Sequence, residues 1–187
     1  MRNEAVNDRL NIERKNDGNR GKAKRILKEA ASYIVSCLMA IFFFTNVLSI
    51  NYVPSESMEP TIRKHRFIVN IRLTYLIGDP IPDYGTVIVF RENAETNRLL
   101  IKRVIGLPGD EISFAGGLVF RNGKALDEPY LLKQGVSYSA VPAFTVPDGK
   151  LFVLGDNREN SNDSRFMEGT YVPINRIYAQ ELLQAPF

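Results

Sequence analysis

Hydrophobic and polar positions fall into three regimes along the chain. Residues 1–20 are polar, charged and without an apolar period, which predicts a flexible or loosely helical tail. Residues 30–50 carry no charged side chain and are dominated by Ile, Val, Leu, Met and the triplet Phe42-Phe43-Phe44. A helix of about 20 apolar residues crosses a ~30 Å hydrocarbon layer, so residues 21–50 read as a basic juxtamembrane segment running into a transmembrane helix. Ser32, Ser36, Thr45, Asn46 and Ser49 dilute the run without breaking it, because a hydroxyl can bond back to a helix carbonyl.

Past residue 61 the period changes. Phe67, Val69 and Ile71 alternate with Asn70 and Arg72, as in a half-buried strand. Residues 86–90 form a shorter, continuous apolar strand and residues 99–105 another, closed by the turn Leu107-Pro108-Gly109-Asp110. Asn122-Gly123, between Leu118-Val119-Phe120 and Lys124-Ala125-Leu126, marks a hairpin, since both central positions of the favoured turn need positive φ. Pro147-Asp148-Gly149 turns the chain into a strand over 150–154, while 127–146 reads as containing a loop. No long amphipathic helix stands outside the anchor. The expected fold class is therefore mainly β, an antiparallel sheet domain over 51–187 with one N-terminal transmembrane helix.

Charge then says what each part faces. Residues 1–30 hold nine Lys/Arg against five Asp/Glu, a net of +4, and residues 31–187 hold 15 against 16, or −1. A basic body would point to nucleic acid; a nearly neutral body behind a basic tail points to membrane lipid and to no nucleic-acid partner. Arg20, Lys22, Lys24, Arg25 and Lys28 precede the span and no such cluster follows it at once. The positive-inside rule then places the N-terminus in the cytoplasm and residues 51–187 outside, in a single pass. The charged lead is too long for a leader, the apolar run exceeds an ordinary h-region and no Ala-x-Ala site follows, so the segment reads as a retained anchor. One cysteine, Cys37, and one histidine, His65, are too few for a His/Cys zinc site, and no metal or cofactor is implied.

The chemistry starts from residues 54–61, Pro-Ser-Glu-Ser-Met-Glu-Pro-Thr, just past the apolar run. Pro54 and Pro60 hold the stretch between them out of helix, which suits a serine nucleophile, Ser57, as well as an ordinary linker. His65, between Lys64 and Arg66, reads as part of a solvated turn rather than as the base. Lysine is the other base available, provided burial lowers its pKa from about 10.4. The strand 99–105 offers Lys102 and Arg103 among aliphatic residues, and of the two only lysine can lose its proton. The third stretch, residues 155–165, has no aliphatic side chain and follows a buried strand. Its Ser161 or Ser164 could hold a buried neutral lysine in place, and Asp163 and Arg165 could brace the loop as an ion pair.

Together these stretches resemble the bacterial type I signal peptidases, membrane-anchored Ser/Lys proteases that remove signal peptides from exported proteins. The matching motifs are Ser55-Glu56-Ser57-Met58-Glu59-Pro60-Thr61, then Lys102-Arg103-Val104-Ile105-Gly106-Leu107-Pro108-Gly109-Asp110, then the loop 155–165, in the family's order over residues 25–170. The resemblance implies that Ser57 is the nucleophile and Lys102 the general base, with Ser161 orienting the lysine. It implies that Ser55 donates its hydroxyl to the oxyanion beside the backbone N–H of Ser57. Val53 and Ile101 fall where the family lines shallow pockets for small side chains. The expected partners are signal peptides of exported preproteins and membrane lipid, and the expected location is the bacterial cell membrane. Ser57 lies about seven residues past the span, hence within roughly 25 Å of the membrane surface at ~3.3 Å per residue.

Lys64-His65, Thr86, Glu159 and Met167 depart from the family's usual residues, and bear on loop detail and preference rather than on the reaction. Two rivals belong to other classes. A self-cleaving repressor-type protein would need a helix-turn-helix pattern, which is missing. A non-enzymatic accessory protein on the same fold would be expected to have lost Ser57 or Lys102, and this sequence has both.

Overall fold

A computed structural model describes residues 2–184 apart from 79, 94, 97, 134–141 and 168. The chain divides into two units, with the break between Thr45 and Asn46. The first consists of one helix, α1, Arg2–Asn46, whose last residue already belongs to the second unit. The tail expected to be flexible or loosely helical thus has helical backbone from Arg2. Its part from Arg20 to Asn46, 27 residues, is the one helix among the described residues long and apolar enough to cross a membrane. Ser36 Oγ donates to the Ser32 carbonyl at 2.9 Å and Thr45 Oγ1 to that of Ile41 at 2.8 Å, the back-bonding that lets hydroxyls sit in an apolar helix.

The helix stops at Asn46, before the uncharged run ends at residue 50, because the next residues are claimed by a sheet. Strand β1, Leu48–Tyr52, pairs antiparallel with β2, Phe67–Ile71, from Leu48 opposite Ile71 to Tyr52 opposite Phe67. A short helix, α2 (Leu73–Ile77), follows, then β3 (Val87–Arg91), β4 (Leu99–Gly106), β5 (Glu111–Ala115), β6 (Leu118–Arg121) and β7 (Lys124–Ala125). After the undescribed residues 134–141, which fall inside the expected loop 127–146, come β8 (Phe144–Thr145), β9 (Lys150–Leu154), β10 (Val172–Pro173) and β11 (Ile177–Gln184). The large sheet has the order β1-β2-β11-β3-β4-β9-β10 and the small one β7-β6-β5-β8, with every pairing antiparallel.

Local chemistry explains most of these elements. The hairpin turn between β6 and β7 has Asn122 at φ 53° and Gly123 at φ 75°, the left-handed pair that Asn-Gly tolerates. In β3, Ile88 and Phe90 enter one apolar cluster with Val104, Leu151 and Val153, whereas Val87 and Val89 enter another with Val53, Met58, Ile62 and Ile68. Both faces of this strand are covered, which is why residues 86–90 read as continuously apolar. A third cluster, Ile105, Ile112, Phe114, Val119, Phe152 and Leu154, ties the two sheets together.

One strand is in the opposite phase to its sequence pattern. In β2 the buried residues are Ile68 and Asn70, while Phe67 is exposed and Val69 and Ile71 are half-buried. Asn70 can take the inward position because its Nδ2 donates to Asn51 Oδ1 at 2.8 Å, meeting a polar partner inside the sheet.

Candidate active site

The turn after β1 is held from below. Met58 and Ile62 are both essentially buried in the cluster with Val53 and Val89, and the Ile62 N–H donates to the Met58 carbonyl at 2.8 Å. Burying side chains of this size contributes about 1.5–3 kcal/mol each. The turn is therefore anchored as a linker would not be, and Ser57 is only 8 % exposed rather than free in solvent. It lies in the wall of an open groove together with Val53, Ser55, Met58, Val89, Ile101 and Lys102.

Strand β4 brings the lysine to this serine. Lys102 is paired with Ile88 of β3 in the middle of the large sheet. Its Nζ lies 2.9 Å from Ser57 Oγ and donates to the Ile101 carbonyl, also at 2.9 Å. The side chain is 3 % exposed. Burial pushes its pKa down from 10.5 to about 8; Arg98 adds to the fall, while Asp163, Asp156 and Glu92 oppose it. Ser55 Oγ stands 3.4 Å from Ser57 Oγ on the solvent side. The fold thus brings Ser57, Lys102, Ser55, Val53 and Ile101 to one groove.

The loop 155–165 packs beneath the pair. Asp163 is fully buried, accepts the Gly155 N–H at 2.9 Å, and takes a two-pronged bond from Arg165, each prong 2.8 Å. The expected brace is therefore formed. It also bears on Lys102, because the guanidinium offsets an aspartate that would otherwise hold the lysine charged. Gly155 passes so close to Ser57 that a Cβ there would lie 2.5 Å from the Ser57 carbonyl oxygen and nearer still to Ser161 Oγ.

Ser161 differs from expectation. It is buried at 6 % exposure, but its Oγ has no hydrogen-bond partner among the described residues, and the lysine's second bond goes to the Ile101 carbonyl instead. The other hydroxyl considered, Ser164, turns away to accept the Val153 N–H at 3.0 Å. His65 is occupied elsewhere, with Nδ1 2.5 Å from the Tyr52 hydroxyl.

Two features were not read from the sequence. Arg103 makes a bidentate pair with buried Asp156, at 2.8 and 2.5 Å, and donates to the Gly85 carbonyl at 2.7 Å. Asn157 donates its N–H to the Ser57 carbonyl at 3.0 Å and its Nδ2 to the Glu56 carbonyl at 3.2 Å. The alternation in β4 was the available signal for Arg103, because a cation between Lys102 and Val104 in a covered sheet needs a buried acid.

A buried lysine amine within hydrogen-bond reach of a serine hydroxyl could take that hydroxyl's proton, the chemistry open to a serine protease. A family model described as signal peptidase, peptidase S26, matches residues 26–184, and the chain belongs to that family. A probable signal peptidase I-2 of Synechocystis sp. is 36 % identical over 168 residues, 84 % of this chain and 72 % of that one. A signal peptidase I of Bacillus caldolyticus is 37 % identical over 160 residues, 78 % of this chain and 82 % of that one. A signal peptidase I crystal structure from Enterococcus faecalis V583 aligns at 28 % identity with a TM-score of 0.45, over 54 % of this chain and 97 % of that one. With its apolar N-terminal helix, the chain is a membrane-anchored serine protease of this family.

Proposed function

We propose that this protein removes signal peptides from exported preproteins at the outer face of a bacterial cell membrane, with Ser57 as nucleophile and Lys102 as general base. The observation that carries the reading is the 2.9 Å approach of a buried Lys102 Nζ to Ser57 Oγ, with the lysine's pKa lowered to about 8. Neutral Nζ takes the hydroxyl proton as Oγ attacks the carbonyl carbon of the residue before the cut. The Ser55 hydroxyl and the Ser57 N–H face the resulting oxyanion. The lysine returns its proton to the leaving amine, leaving an ester on Ser57. It then deprotonates the water that frees the acid and restores the serine. Val53 and Ile101 line the groove together with this centre, which in this reading favours small side chains next to the cut. The basic cluster before the span supports a cytoplasmic N-terminus, a single pass and an outward catalytic domain.

The test uses the full chain in lipid–detergent micelles, a preprotein with Ala-x-Ala before the cut, and N-terminal sequencing of the product. Cleavage after that tripeptide by the wild type and none by Ser57→Ala is expected. Equal processing by both would refute the assignment of Ser57, and no processing by either would favour the accessory-protein reading. Protease added to intact cells should digest the β domain; protection would reverse the orientation.

A further inference from the structure

A buried ion pair lies outside the Ser57/Lys102 pair. After β7 the chain leaves the small sheet and brings Glu128 under the loop 155–165. Glu128 is 5 % exposed and Arg158 is 3 % exposed. Arg158 donates through its two terminal nitrogens to the two carboxylate oxygens of Glu128, at 3.0 and 2.5 Å, and Tyr130 donates its hydroxyl to the same carboxylate at 2.7 Å. A buried pair of this kind adds little net stability over apolar side chains of equal volume. Its geometry points to a different task.

We propose that Glu128 is a positioning residue for the Ser57/Lys102 reaction, acting through Arg158 on the backbone that carries the nucleophile; the inference rests on the proteolytic reading above. With its terminal nitrogens fixed by Glu128, Arg158 donates Nε to the Gly155 carbonyl at 3.0 Å, and its own carbonyl accepts from Arg165 at 2.8 Å. Gly155 is thereby clamped at both polar atoms, its N–H by Asp163 and its carbonyl by Arg158. Gly155 abuts the Ser57 carbonyl, and Asn157 binds the carbonyls of Ser57 and Glu56. The loop therefore sets the peptide groups on both sides of the nucleophile. Lys102 is held in the large sheet between β3 and β9, although its neighbour Arg103 also pairs with Asp156 of the loop. A shift of the loop therefore changes the position of Ser57 relative to the lysine, and a displacement near 1 Å costs about 100-fold in rate. Glu128 lies 30 residues before Arg158 in the chain, so a segment leaving the small sheet sets the geometry of a site in the large one.

The experiment measures kcat and KM on a preprotein with the full-length wild type, Glu128→Gln, the double variant Glu128→Leu with Arg158→Met, and Ser57→Ala as control. Glu128→Gln keeps the volume and removes the charge. It should lower kcat by about 10- to 100-fold and leave KM within about threefold. The double variant removes the pair without stranding a charge, so its unfolding midpoint should return close to wild type while kcat stays low, because Gly155 still lacks its clamp. Recovery of kcat together with stability would show a merely structural pair and overturn the inference, as would an unchanged kcat in Glu128→Gln. Should Glu128→Gln not fold, Tyr130→Phe carries the test: removing one bond to Glu128 should lower kcat about threefold at constant KM, and no change would overturn the inference. If the wild type and Ser57→Ala behave alike, the proteolytic reading itself falls, and this inference with it.

Discussion

Replacing Lys102 with Met tests mechanism and energetics together, since Met matches the lysine stem in length and has no charge. A lysine whose pKa is 10.5 when exposed and about 8 in the fold carries a penalty on the order of 3 kcal/mol for its charged form, at 1.36 kcal/mol per tenfold change. The native state binds fewer protons than the unfolded chain between those values, so stability rises with pH across that window. The penalty is full below about pH 8 and gone above about 10.5. Lys102→Met removes it, but also loses the contacts to Ser57 Oγ and the Ile101 carbonyl, worth about 1 kcal/mol each. The variant should thus be about 1 kcal/mol more stable than wild type at pH 7 and about 2 kcal/mol less stable near pH 11, a crossing visible in denaturant titrations at several pH values. Cleavage should fall by roughly 1,000-fold or more, and the wild-type rate should lose about tenfold for each pH unit below 8. A stability gap that does not change between pH 7 and 10, or a Met variant within tenfold of wild-type activity, would refute a buried neutral lysine acting as base.

Gly155→Ala places a methyl against the Ser57 carbonyl and Ser161 Oγ, so it should cost about 1–3 kcal/mol in unfolding titrations and at least ~100-fold in kcat; normal activity would mean that the loop yields freely. Ser55→Ala should lower kcat by about 100- to 1,000-fold with KM little changed, and an effect confined to KM in steady-state kinetics would remove Ser55 from the oxyanion site.

Sequence periodicity carried some of this structure and could not carry the rest. Strands β3 and β4 were legible because covered strands are apolar on both faces, and the β6–β7 turn because Asn122-Gly123 meets a local steric demand. Ser57 and Lys102 were legible only through motifs, as each alone also suits a surface. The phase of β2 was misread because Asn70 is buried by pairing with Asn51, 19 residues away, and local pattern cannot register a remote partner. The same limit hid Glu128, which finds Arg158 across 30 residues, and β11, which pairs with two strands made much earlier. Ser161 shows the converse: its place in a motif suggested a bond to the lysine that its buried hydroxyl does not make.

The place of β11 bears on when the protein can first act. It is synthesised after every other described strand, yet it lies between β2, which carries β1 and the serine turn, and β3, which carries β4 and the lysine. A nascent chain that has emerged only as far as Arg176 already holds Ser57 and Lys102, but lacks the strand that joins their two halves of the sheet. Pairings between segments so distant in sequence form late in folding, after the loop-closure entropy has been overcome. The meeting of Ser57 with Lys102 is therefore expected to depend on residues 177–184 having joined the sheet.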